Sequence, residues 1–100
     1  MELKGSKTEQ NLMAAFAGES QATNKYEFYA VQARKEGYEQ IADFFEETMR
    51  NERAHAKIWF KYLHDGSVPP TEANLVDAAE GEHYEFTDMY VKFAEQAKEE

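Results

Sequence analysis

Residues 41–62 read Ile41-Ala42-Asp43-Phe44-Phe45-Glu46-Glu47-Thr48-Met49-Arg50-Asn51-Glu52-Arg53-Ala54-His55-Ala56-Lys57-Ile58-Trp59-Phe60-Lys61-Tyr62. Within this stretch Ile41, Phe45, Thr48, Glu52, His55, Trp59 and Tyr62 recur in steps of three and four, the spacing of one helix face. Most of that face is apolar, as a core-facing stripe must be. Glu52 and His55 are not, although they hold two successive stripe positions. A carboxylate on a buried face is very costly unless a counter-charge or a metal meets it. Arg50, Arg53 and Lys57 lie off the face in question. Residues i and i+3 project from the same side of a helix, so Glu52-Arg53-Ala54-His55 offers a carboxylate and an imidazole to one region.

Working outward, this helix is expected over residues 39–64. Upstream, Ser6-Lys7-Thr8-Glu9 has the pattern of a capping box. It opens a second periodic segment: Leu12, Ala15, Phe16, Ala22, Tyr26, Tyr29, Ala30 and Ala33. That segment predicts a helix over 7–36, ending at Glu36-Gly37. Downstream, Pro69-Pro70-Thr71 predicts a linker over 65–71 and a helix over 72–100, with Thr71 as its cap. The third stripe includes Leu75, Ala79, Glu82, Glu85 or Phe86, Met89, Phe93 and Ala97. No segment alternates with period two, so the expected fold is all-α. Three long helices are one short of a four-helix bundle. The third meets no stop signal before Glu99-Glu100, and acids oppose the dipole at a helix C-terminus. The expectation is an incomplete domain spanning residues 1–100.

Composition narrows the functions. Eleven basic residues against twenty acidic ones give a net charge of −9, which repels nucleic acid and anionic membranes unless a basic patch intervenes. No such patch stands out in the sequence. Without cysteine these residues carry no disulfide, thiolate zinc site or iron–sulfur cluster. No run approaches the length of a membrane span, and the first residues lack the apolar stretch of a signal peptide. A cytoplasmic protein is the expectation.

Acids recur on the other stripes. Glu19 stands between Phe16 and Tyr26, and Glu82 and Glu85 hold stripe positions of the third helix. The bland alternative is a solvated acidic face shared with Glu80, and Glu-x-x-His also occurs on solvated helices. Together, however, Glu19, Glu52, His55, Glu82 and Glu85 fit the dimetal carboxylate bundles, in which four helices carry Glu, Glu-x-x-His, Glu and Glu-x-x-His. Such oxygen-rich donors with imidazole suit iron or manganese.

An internal repeat points the same way. Gly18-Glu19 matches Gly81-Glu82 at an offset of 63, whereas Tyr26, Tyr29-Ala30 and Gln32-Ala33 match Tyr90, Phe93-Ala94 and Gln96-Ala97 at 64. The second copy therefore carries one extra residue between its glutamate and its tyrosine. An extra residue inside a helix makes a π-bulge, a feature frequent at functional sites. Glu85 falls in or just before that interval and is expected to be an added ligand. Drift between two similar helices is the alternative. By the same repeat, copies of Glu52 and His55 are expected at or just beyond positions 115 and 118, outside these residues.

The linker limits how such a bundle can close. If the helix pairs are related by a twofold, the second and third helices run parallel, and Glu52 and Glu82 reach one level only if the connection climbs about 33 Å. Residues 65–71 span at most about 25 Å. The crossover works between two molecules, so a domain-swapped homodimer is expected. A plain up-down-up order is the alternative.

Three stretches resemble the rubrerythrin family: Ala14-Ala15-Phe16-Ala17-Gly18-Glu19-Ser20-Gln21-Ala22, Asn51-Glu52-Arg53-Ala54-His55-Ala56-Lys57, and Ala79-Glu80-Gly81-Glu82-His83-Tyr84-Glu85-Phe86-Thr87-Asp88-Met89-Tyr90. The resemblance implies a ferritin-like domain with a non-haem di-iron site, two iron ions held by Glu19, Glu52, Glu82 and Glu85. It implies His55 as a ligand in at least one oxidation state, with an iron moving between His55 and Glu85 on redox change. Tyr26 and Tyr90 match tyrosines that hydrogen-bond around the site. The family's fourth helix is not within these residues, nor is the rubredoxin module that many members carry. Short-linker members include domain-swapped dimers. The implied activity is reduction of hydrogen peroxide to water, with electrons from an external partner such as a rubredoxin-like protein. Iron storage with ferroxidase-like activity and a purely structural helical dimer are the alternatives.

Overall fold

The computed structural model describes residues 2–100. Every regular element among them is helical: α1 (Lys7–Lys35), α2 (Glu39–Leu63), α3 (Thr71–Tyr84), a π-helical segment (Glu85–Met89) and α4 (Tyr90–Glu99). The last three follow one another without interruption and form the third long helix. No strand occurs among the described residues. The chain forms two units, one reaching to Val68 and the other Pro69–Glu100.

The first unit is an α1–α2 hairpin. Ser6 caps α1, its hydroxyl accepting from the Glu9 N–H at 3.0 Å. The Glu9 carboxylate returns to the Gly5 N–H at 3.0 Å, so the reciprocal bond of the expected capping box lands one residue before the cap itself. The end of α1 is equally local. Gly37, at φ +86°, lets the Gly37 N–H reach Arg34 O (3.1 Å) and the Tyr38 N–H reach Ala33 O (2.9 Å), the paired bonds of a Schellman motif. Two residues later α2 begins, antiparallel to α1.

Small residues let the two helices approach closely. Ala30, Ala33, Ala42 and Ala56 are buried, with Thr23 beside them. Aromatic rings fill the flanks. Phe16 meets Phe60 at 5.6 Å, and Phe45 contacts Tyr26 at 6.1 Å and Tyr29 at 5.5 Å. At the closed end Arg34 gathers Glu39, Asp43 (3.4 Å) and Glu46 (2.5 Å). The Glu46 hydrogen bond is the main reason its guanidinium pKa is raised.

In the second unit Pro70, extended at ψ 158°, precedes the first helical residue, and Thr71 is that residue rather than the cap. Proline has no side-chain acceptor, so no side chain caps this helix. Asn74 steadies the entry by donating to Pro69 O at 2.7 Å. No residue of α3, the π segment or α4 is buried, and Leu75, Phe86, Tyr90 and Phe93 are all more than half exposed.

Candidate metal centre

The hairpin brings Glu19, Glu52 and His55 together, each offering a ligand atom within 4.8 Å of the others. Glu19 is set on α1 by the stripe that buries Thr23 and Ala30. Glu52 and His55 come from successive turns of α2, as i,i+3 spacing requires. His55 Nδ1 stands 3.3 Å from Glu19 Oε2, but is not aligned for a hydrogen bond. Glu19 Oε2 is fully shielded from solvent and has no hydrogen-bond partner. A buried oxygen left without a partner costs about 1–3 kcal/mol, more when charged. Proton sharing with Glu19, then burial, then the Glu19 charge hold the Glu52 carboxyl above its ordinary value, with His55 opposing them. Two carboxylates and an imidazole forced together with an orphaned oxygen are what a cation relieves. The donor set thus fits a metal ion of the iron or manganese kind.

The other expected site residues lie elsewhere on the helices. Glu82 is exposed on α3, and Glu85, partly shielded, opens the π segment. In that segment the Tyr90 N–H bonds Glu85 O, five residues back. The rearrangement expected from the change of repeat offset is therefore present, within the expected interval. Thr87 assists it by bonding His83 O at 2.9 Å through its hydroxyl, a competitor for the regular helical bond. Tyr90 follows the bulge with its ring against Phe93 at 6.3 Å. Tyr26 packs edge-on to Tyr29 and stacks on Phe45.

Two features were not legible in advance. Trp59, on the same face as Glu52 and His55, holds its indole N–H fully shielded and unpartnered. The stripe pattern located its ring, but hydrogen-bond satisfaction has no sequence signature. The second is a groove between α1 and α2 bordered by Arg53 and Lys57, both set aside in the sequence as lying off the ligand face.

An all-α protein with a carboxylate–imidazole cluster able to hold a metal ion is the class these features define. Residues 10–100 match the rubrerythrin family. Rubrerythrin of Nitratidesulfovibrio vulgaris is 49% identical over 98% of this chain and 57% of its own length. Rubrerythrin of Porphyromonas gingivalis is 50% identical over 98% and 54%. Nigerythrin of Nitratidesulfovibrio vulgaris is 41% identical over 93% and 52%. The chain belongs to the rubrerythrin family. It spans about half the length of the curated relatives it matches. Its alignment to the first of these covers 109 positions but takes up only 98% of 100 residues here, so about eleven positions of that relative have no counterpart in this chain. Among the described residues, no helix is long and apolar enough to cross a membrane.

Proposed function

We propose that residues 1–100 form a ferritin-like domain that reduces hydrogen peroxide to water at a non-haem di-iron centre. Glu19, Glu52 and His55 are its first three ligands, and Glu82 and Glu85 join them from the third helix of a second, domain-swapped copy. Any further Glu-x-x-His comes from outside these residues. The unpartnered, shielded Glu19 oxygen beside Glu52 and His55 carries this reading. Family membership supports it: the relatives are named rubrerythrin and nigerythrin. The swap is supported by the short connection, residues 64–70. Deletions are accommodated in connections more readily than inside helices, so a connection shortened relative to the relatives is in keeping with the swap.

The reaction takes one peroxide, two electrons and two protons to two waters. Bound iron supplies the two electrons and the Lewis acidity. The chain's own groups do the rest. Glu52, whose carboxyl is held above its ordinary value beside Glu19, keeps its proton more readily than a free carboxyl and gives it up when cations enter. Glu85, at the start of the π segment, supplies the added carboxylate. Tyr26 and Tyr90 orient neighbouring groups through their hydroxyls. The chain has no cysteine, so an iron–sulfur donor of electrons would sit on another segment or protein.

The test is metal analysis beside peroxide consumption on iron-loaded protein with a reductant. Two irons per site and reductant-dependent peroxide loss well above that of free iron are expected. Retention of many irons per chain with faster reaction toward dioxygen would assign storage instead.

A further inference from the structure

On α2 the cations Arg50, Arg53, Lys57 and Lys61 follow one another in steps of three, four and four. That places them on one helix face, over about 16 Å of helix axis. None of them makes an ion pair among the described residues, where Arg34 and His55 account for all such contacts. In the sequence these residues do not stand out as a patch because they are interleaved with Glu52, His55 and apolar positions. The helix turns the two sets to different sides.

The stripe borders the groove of about 390 Å³ between α1 and α2. Its floor is Phe16, Ala56 and Phe60 with the buried Thr23, and its rims are Ser20 and Asn24 on one side, Arg53 and Lys57 on the other. An apolar floor inside a polar, charged rim is the make-up of a protein-docking surface. The groove also sits behind the metal cluster. Ser20 adjoins Glu19 in sequence, Arg53 adjoins Glu52, and Ala56 adjoins His55. Only the thickness of the helix pair, about 10 Å, separates the two faces.

We propose that this groove is the docking site for an acidic, one-electron carrier protein. The inference rests on the peroxidase reading. Charge complementarity selects the partner. On a chain of net charge −9, an acidic protein is repelled over most orientations and drawn to this unpaired basic stripe. A nucleic acid fits poorly, because Asp43, Glu46 and Glu47 continue α2 beyond Arg50 and meet an extended phosphate backbone with like charge. Each docked carrier passes one electron toward the cluster and leaves oxidised by one. Two such encounters and two protons balance the conversion of one peroxide to two waters.

The experiment uses a rubredoxin as the acidic probe and the iron-loaded protein. Its Kd is measured at low and physiological ionic strength, and its KM in peroxide turnover. R53E/K57E is expected to raise both constants about tenfold and flatten their salt dependence. K4E/K25E, the same charge change off the stripe, is expected to keep wild-type values. The neutral pair R53Q/K57Q should fall between, and circular dichroism checks that all variants are helical. Equal weakening by both charge-reversal pairs would overturn the proposal. A change of sedimentation mass in R53E/K57E would also overturn it, assigning the groove to a second copy through its acidic residues 69–100. If wild-type protein consumes no peroxide with either rubredoxin or dithionite, the peroxidase reading fails instead, and the Kd comparison still decides the groove.

Discussion

Helix α1, packed on α2 in the hairpin, and the long helix from Thr71 to Glu99 share a sequence pattern but have unlike surroundings. The hairpin closes on itself: Ala42 is 0% exposed and Ala30 2%. Its aromatic rings meet one another, and its three candidate ligands are already assembled. The long helix carries an equivalent stripe, with Leu75, Phe86 and Phe93 at 66%, 80% and 54% exposure. An amphipathic helix draws its stability from packing of its apolar face rather than from propensity. The contrast teaches that half of the proposed centre is preformed, whereas the half carrying Glu82 and Glu85 needs apolar cover, which by our proposal a second copy supplies.

The sharpest way to break this comparison is to remove a ligand from the preformed half. Glu52→Ala is expected to lower bound iron at least tenfold and to reduce peroxide consumption to the level of free iron. Glu47→Ala, exposed one turn and a half away, should change neither. Metal analysis and a peroxide assay on the same samples decide it. Next comes the packing of the two halves. Ala42→Leu overfills the closed hairpin and should cost roughly 1–3 kcal/mol at any protein concentration. Leu75→Ala should cost about 2–5 kcal/mol, in a manner that depends on concentration. Denaturant titration at two concentrations separates them, and a Leu75→Ala effect below about 0.5 kcal/mol would mean that face stays in water.

Smaller effects sharpen the picture of the hairpin. Ser6→Ala removes the α1 cap and should cost about 1 kcal/mol. The pH dependence of the metal-free protein is subtler. The folded pKa of Glu52 is raised above 4.5, first by proton sharing with Glu19. Its contribution is therefore fully present below the unfolded value and is lost as pH rises through the folded one. Thermal midpoints of metal-free protein should fall as pH rises from 4.5 through that value. Glu52→Gln should flatten the trend, as should added ferrous ion. A metal-free midpoint that rises over this interval would show the two carboxylates are not held together.

Much of this was legible beforehand because helical physics is local. The step of three and four in Ile41–Tyr62 placed Glu52 and His55 on one side of α2. The capping pattern at Ser6–Glu9 started α1 where the structure starts it. The change of offset between Glu19–Tyr26 and Glu82–Tyr90 marked the π segment, because an inserted residue must be absorbed somewhere in the hydrogen-bond ladder. Thr71 was misread as a cap, since Pro70 already supplies the extended entry. The Arg34 cluster, the shielded Trp59 N–H and the unpaired face from Arg50 to Lys61 were not legible. Each depends on which groups another helix brings near, or fails to bring near.

The order of residues alone was enough to settle three helices, the shared face of Glu52 and His55, and the bulge, because backbone bonding and side-chain direction repeat every few residues. Only packing decided which carboxylates meet. Glu19 and Glu52 are 33 positions apart, and it is the close approach of α1 and α2 over Ala30, Ala42 and Ala56 that leaves the Glu19 oxygen dry, unpaired and ready for a cation.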